Sequence, residues 1–285
     1  MDVVSGILEK IFSGRWIAGP EIDDALKMAS RLNAKRIHVL INYLGEDFSE
    51  KSDVDQTTKK YVKLISEIKS RELNASVSVK PSQLGMHIGY ELARGNYEKI
   101  VDAGRKNNVF VWLDMEEYGT VSQTIRLYLS RSKNGGTGIC IQSYLKRSIA
   151  DIKRLVKNNA VIRLVKGAYS APAKYAYTSR ESTTKNYEKL MRYLFDNAET
   201  FTIATHDNDM IKEAMTLNRA RRRMVTYAFL NGIMNNHVVQ LALSGNRISV
   251  YIPFGERWIS YTYRRLKEAG HVGLVVKSLF RNQHI

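Results

Sequence analysis

GICIQSYLKRSIADIKRLVKNNAVIRLV, residues 138–165, decides the fold. GICIQ (138–142) is a short apolar run, too brief for an independent helix and bearing the β-branched residues of a buried strand. In the segment 148–157 that follows, Ile149, Ile152, Leu155 and Val156 recur at three- and four-residue steps, the stripe of an amphipathic helix. VIRLV (161–165) then repeats the strand signature. Strand, helix and strand in that order read as parallel pairing through a right-handed crossover.

The same alternation runs through the rest of the chain. Strands are expected at RIHVLINYL (36–44), ASVSVK (75–80), VFVWLD (109–114), FTIAT (201–205), RMVTYA (223–228) and ISVYI (248–252). Helical stripes fall between them, at 57–71 with Tyr61, Leu64, Ile65 and Ile68, and at 182–199 with Tyr187, Leu190, Met191 and Leu194. Gly95, Gly104 and Gly245 read as helix stops. About eight strand–helix units favour closure into a barrel over an open sheet, and no GxGxxG follows the first strand to suggest a dinucleotide-binding domain. The expected architecture is a (β/α)8 TIM-type barrel forming one domain over residues 1–285. Additional N-terminal helices occupy 1–35, near 3–12 and 21–32, to cover the barrel floor or pack outside. The barrel spans 36–268 and a C-terminal segment 269–285.

Composition narrows the class. The 285 residues are 44% hydrophobic, 25% charged and 9% aromatic, which excludes a largely disordered chain. No run approaches the ~18 consecutive apolar residues of a spanning helix. Asp2 and Glu9 interrupt the N-terminus where a secretory signal would be basic and then apolar. A single cysteine, Cys140, cannot form an internal disulfide and suits a reducing compartment, so a cytoplasmic location is expected. Cys140 itself reads as a core thiol, and His38 and His87 lack the spaced partners a metal site needs. The unusual feature is charge: 44 Lys+Arg against 28 Asp+Glu leaves a formal +16. Such an excess attracts polyanions, including anionic membrane surfaces. No zinc-finger spacing or RNA-binding signature accompanies it, and the RARRR run at 219–223 reads as a solvated helix end, so no specific nucleic acid is expected.

In such a barrel, functional groups gather where strands end. Those junctions carry Glu46, Lys80, Asp114, Gln142, Arg163 with Lys166, Thr205 with His206, and Tyr251. In YIPFGERWISYTYRRLKE (251–268), Tyr251 is placed at a strand end and Pro253 and Gly255 in the turn. On the helix that follows, Tyr261 shares a face with Arg264 and Arg265. Two guanidiniums beside a phenol suit a carboxylate, through charged hydrogen bonds worth roughly 1.5–3 kcal/mol each.

SVKPSQLG (78–85), WLDMEEY (112–118), CIQSYLKR (140–147), IRLVKGAY (162–169), ATHD (204–207) and YTYRRLKE (261–268), with NYLGE (42–46), resemble in order and position the FAD-dependent proline dehydrogenases. The likeness runs from about residue 37 to 268. It implies oxidation of L-proline to Δ1-pyrroline-5-carboxylate, with FAD as cofactor and a quinone as electron acceptor. By this resemblance Arg264, Arg265 and Lys80 bind the proline carboxylate, and Asp114 pairs with Lys80. Tyr169, Tyr251 and Tyr261 enclose the ring, and Glu46 gates entry through Arg264. Arg163 lies near the flavin N5 edge. Met115, Gln142, Lys166, Gly167, Ala168, Thr205, His206 and Glu268 complete the cofactor site. Met115 departs from the small residue many members carry there, and Phe254 from the frequent tyrosine. Competing readings are a related flavin barrel acting on hydroxyproline or a folate, and a basic module that binds nucleic acid or a membrane. The Arg264–Arg265 pair favours a small amino acid over a folate.

Overall fold

Eight parallel strands close on one another in chain order, each pairing with the next and β8 with β1. The computed structural model of the chain describes residues 16–256. After α1 (Ile22–Asn33) the strands are β1 (His38–Tyr43), β2 (Ala75–Val79), β3 (Val111–Leu113), β4 (Thr137–Gln142), β5 (Val161–Val165), β6 (Thr200–Ala204), β7 (Met224–Leu230) and β8 (Arg247–Phe254). Between them lie α2 (Lys51–Ser70), α3 (Tyr90–Asn107), α4 (Val121–Arg131), α5 (Ser148–Lys157), α6 (Arg180–Asn197), α7 (Asn208–Arg221) and α8 (Asn235–Leu243). This is the expected (β/α)8 barrel.

Strand alternation divides the side chains between two layers. Val39 and Ile41, Val77 and Val79, Ile139 and Ile141, and Ile162 and Leu164 are buried in one cluster with the apolar faces of the helices. The other parity faces the barrel axis and is largely polar, with Ser78, Asp114, Gln142 and Arg163 all buried. α5 shows why the pattern was readable: Ile152 and Leu155 are fully buried and Arg147 before it pairs with Asp151 on its first turn.

Several expectations need correction. The helix expected from 57 begins at Lys51, because its first two turns bury Val54, Thr57 and Thr58, which carry too little hydrophobicity to register as a stripe. Gly95 and Gly104 lie inside α3 and stop nothing; the helix ends at Asn108 in the left-handed region. Gly104 is there for packing, since a Cβ would come within 2.6 Å of Val111 Cγ2 and 2.7 Å of the Val109 carbonyl. Gly245, by contrast, does follow α8, at φ 83°. Tyr251 and Pro253 belong to β8, which runs on to Phe254. The proline is tolerated because its side of the strand lies past the end of β7, where the Pro253 carbonyl accepts from the Ala18 N–H.

α1 settles the place of the expected helix at 21–32. Ala18 is tied to the C-terminal end of β8, whereas Asn33 bonds the Ile37 and Asn74 carbonyls at the N-terminal ends of β1 and β2. The helix therefore descends the outer wall, burying Ala25, Leu26, Ala29 and Leu32, and does not cover the floor. The helix expected at 3–12, the helix carrying Tyr261, Arg264, Arg265 and Glu268, and the segment 269–285 lie outside the described residues.

Candidate active site

Inward positions on β2, β3, β5 and β8 converge on one carboxylate. Asp114 directly follows β3, its backbone N–H still bonded to the Val79 carbonyl of β2. It accepts from the Ser78 hydroxyl at 2.7 Å, the Lys80 ammonium at 3.3 Å and the Tyr251 hydroxyl at 3.2 Å. A fourth donor is Arg163 Nη2. Lys80 also pairs with Glu46 Oε1 at 3.2 Å, and the same oxygen accepts from the Tyr169 hydroxyl at 3.4 Å. Glu46, Lys80, Asp114, Arg163, Tyr169 and Tyr251 are thus one connected cluster at the C-terminal mouth of the barrel, as the strand-end rule requires.

Charge settles how the cluster ionises. Burial pushes the Asp114 carboxyl up, but the Lys80 and Arg163 cations and the Ser78 hydroxyl outweigh it and hold the pKa below the usual carboxylate value. Burial pushes Lys80 down, yet the oxygens of Tyr169, Glu46 and Asp114 raise it well above the ordinary lysine value. Arg163 is likewise raised, burial being overcome chiefly by Asp114. Two cations therefore face two carboxylates, and the described cluster is close to neutral. Net attraction for an anionic substrate has to come from further cations, and Arg264 and Arg265, expected at this mouth, lie outside the described residues.

The remaining expected cofactor residues line the rim from β4 to β7. Gln142 is buried at the end of β4 and donates to the Met115 carbonyl at 3.1 Å; Met115 is buried beside it. Lys166 follows β5, its ammonium held by Asp207 at 2.9 Å and Thr184 Oγ1 at 3.1 Å. Gly167 stands at φ 105°, where a Cβ would strike Tyr144 at 2.3 Å, and Ala168 next to it is partly exposed. Thr205 accepts from the Asp207 N–H at 3.1 Å, and His206 Nε2 accepts from the Leu230 N–H at 3.0 Å.

Among the described residues, the buried inward-facing atoms without a hydrogen-bond partner include Arg163 Nη1, a donor, and Gln142 Oε1, an acceptor. Unsatisfied buried polar atoms are costly, about 1–3 kcal/mol each. A flat heteroaromatic group carrying both acceptors and N–H donors, as an isoalloxazine does, matches that pair, so the residues present fit a flavin.

Sequence reasoning missed several members of this arrangement. Ser78 was findable, being two residues before Lys80 and hence on the same strand face. Asp207 stands directly before a helix, the signature of an N-cap, and accepts from Asp209 N–H at 3.2 Å. Glu116, buried and gripping Ser82 N–H at 2.8 Å and Ser82 Oγ at 2.7 Å, carries no local signal at all. The gate expected between Glu46 and Arg264 is seen from one side only, with Glu46 bonded to Lys80.

Of the other singled-out residues, Cys140 is a buried free thiol whose pKa burial raises. His38 bonds Ser249, and His87 pairs with Asp47. In the 219–223 run, Arg221 and Arg223 tie the end of α7 to Asp196 and the Phe195 carbonyl. Among the described residues no helix is long and apolar enough to cross a membrane.

Comparison with known proteins agrees with this geometry. The chain is 30% identical over 272 residues to proline dehydrogenase 1 of Bacillus subtilis (strain 168), covering 94% of this chain and 90% of that protein. It is 29% identical over 263 residues to proline dehydrogenase of Deinococcus radiodurans, covering 89% and 85%. Among solved structures, proline utilization A from Bdellovibrio bacteriovorus, inactivated by N-propargylglycine, superposes over 99% of this chain with a TM-score of 0.87 at 20% identity. This chain spans only 35% of that one, and the likeness is one of fold. The family model described as Proline dehydrogenase matches residues 25–277. With the (β/α)8 barrel and the converging cluster at its mouth, that match makes the chain a member of the proline dehydrogenase family, an oxidoreductase acting on proline.

Proposed function

We propose that this protein oxidises L-proline to Δ1-pyrroline-5-carboxylate with FAD as its cofactor, and that a quinone takes the electrons onward. The observation that carries the reading is the buried Glu46–Lys80–Asp114–Arg163 chain, flanked by Tyr169 and Tyr251 at the barrel mouth. In the overall change a ring carbon next to nitrogen loses a hydride, the nitrogen loses a proton, and a C=N bond forms. FAD, when bound, supplies the two-electron acceptor.

The chain's own residues do the rest. Lys80 binds the substrate carboxylate together with Arg264 and Arg265, and Asp114 holds Lys80 in place for it. Tyr169, Tyr251 and Tyr261 would wall the ring, and transfer requires the donor carbon within ~3–3.5 Å of its acceptor. The substrate must react with its amine neutral, and a dry pocket of rings beside ionised Lys80 and Arg163 disfavours an additional cation there. Arg163 offers fixed positive charge where negative charge accumulates during transfer, at no cost of solvent reorganisation. Gln142, Met115, Lys166, Gly167, Ala168, Thr205, His206 and Glu268 would hold the cofactor, with Lys166 shared between it and Asp207. Glu46, bonded to both Lys80 and Tyr169, stands where exchange to Arg264 would open or close the mouth.

Anaerobic absorbance of the purified protein, before and after L-proline, tests the reading. A flavin spectrum that bleaches supports cofactor and substrate together. A flavin spectrum that persists with L-proline but bleaches with hydroxyproline changes the substrate, and a protein that takes up no FAD overturns the proposal.

A further inference from the structure

The Arg163 guanidinium lies against two aromatic rings. Its Cζ is 5.0 Å from the centre of the Trp112 ring and 5.7 Å from that of Tyr251. Trp112 lies on β3 two residues before Asp114, so both side chains leave the strand on the inward face. Phe110 packs against the indole at 5.1 Å with the rings tilted by 53°. The indole is 8% exposed, and so is nearly as buried as the cation it touches.

Space for that ring is reserved by the neighbouring strand. Gly138 is the register partner of Trp112 on β4. A Cβ there would sit 2.5 Å from Trp112 Cζ3, 2.6 Å from Cε3 and 3.0 Å from Phe110 Cε1, distances that packed atoms do not adopt. The barrel thus gives up a side chain on β4 to admit an indole beneath Arg163.

The ion pair with Asp114 does not by itself orient Arg163. That carboxylate, with the Ser78 hydroxyl, engages only Nη2, and a guanidinium held through one nitrogen can pivot about it. Nη1 is buried and without a hydrogen-bond partner among the described residues. The Cys140 thiol, from the register partner on β4, also reaches the guanidinium, and a π face supplies a further constraint on its plane, because it attracts the cation most strongly when the contact is desolvated.

We propose that Trp112 is a positioning residue whose indole holds the Arg163 guanidinium in the plane that keeps Nη1 available to the flavin. This rests on the flavin reading given above, and it concerns a residue that neither binds substrate nor enters the reaction.

Trp112→Leu, Trp112→Met and Trp112→Phe test the inference, the methionine keeping more of the volume should leucine unfold the barrel. The first readout needs no turnover: Arg163 guanidinium N–H resonances, shifted upfield by the indole ring current, return to ordinary positions in the leucine and methionine variants. The second is the rate of flavin reduction by L-proline, expected to fall about tenfold for a lost desolvated cation–π contact. KM stays within about twofold, and phenylalanine restores most of the rate. Unshifted parent resonances, or a leucine or methionine variant reduced at the parental rate, overturn the role of Trp112. Arg163→Ala, measured alongside, separates the two levels. If it too is reduced at the parental rate, the reading of Arg163 falls; if it alone is slowed, only the inference about Trp112 falls.

Discussion

Asp114 is stable as an anion only because its donors surround it. Replacing it with asparagine leaves Lys80 and Arg163 facing one another with only Glu46 to compensate. Asp114→Asn should therefore lose about 3–5 kcal/mol of unfolding free energy, the cost of breaking a buried ion pair, as urea denaturation at neutral pH would read. Glu116 shows the opposite case. Burial pushes its carboxyl up to about 7. An acid whose folded pKa is raised keeps a proton that the unfolded chain has lost, so between roughly pH 4.5 and 7 stability falls as pH rises. Glu116→Gln preserves an acceptor for the Ser82 N–H and removes the titration. The parent should lose on the order of 3 kcal/mol more than this variant between pH 4.5 and pH 8, and parallel profiles would contradict the assignment. For the clamp, Arg264→Met and Arg265→Met should each raise KM for L-proline by about tenfold or more, the worth of one charged hydrogen bond, with flavin content unchanged.

At the scale of elements, the informative junction is the start of α7. Asp207 caps that helix through the Asp209 N–H and simultaneously holds Lys166 after β5. One side chain thus couples a helix terminus to a loop expected at the cofactor. Asp207→Ala should cost about 1 kcal/mol from the cap, and somewhat more for the lost ion pair, seen as a lowered Tm. Asp207→Asn keeps the cap while releasing Lys166. FAD retention on dialysis should then change similarly in both variants, while Tm falls mainly in the alanine one. A glycine in a helix illustrates why elements are not read from residue type alone: Gly104 looks like a stop, yet it lies inside α3, and it is glycine because Val111 and Val109 leave no room for a Cβ.

For the whole molecule, closure of the sheet is what turns scattered strand-end residues into one site. Lys80, Asp114, Arg163 and Tyr251 come from four different units, and the carboxylate that joins them is separated from Tyr251 by 137 positions. The charge also acts at this scale. A formal +16 favours approach to an anionic bilayer, where a quinone acceptor would reside. Vesicles containing acidic lipid should bind the protein at low ionic strength and release it at high ionic strength, since exposed charges separated by more than ~8–10 Å are screened near physiological salt. Absence of sedimentation with vesicles at either salt level would overturn this expectation.

Local chemistry determined the order and kind of the elements, because a buried strand and an amphipathic helix each betray themselves within a few residues. α5 was legible to the residue, and the strands to within one or two positions at most ends. The rule that barrels act at their C-terminal mouths also singled out Lys80, Asp114 and Gln142 before any pairing was known. What only the tertiary structure decided were the contacts between units. These include the fourfold donor set on Asp114, the grip of Glu116 on Ser82, the capture of Lys166 by Asp207, and the indole beneath Arg163 with a glycine opposite. The physical reason is that such contacts depend on register across a closed sheet, in which residues distant in sequence become neighbours at about 5 Å, and no periodicity along the chain encodes which ones meet.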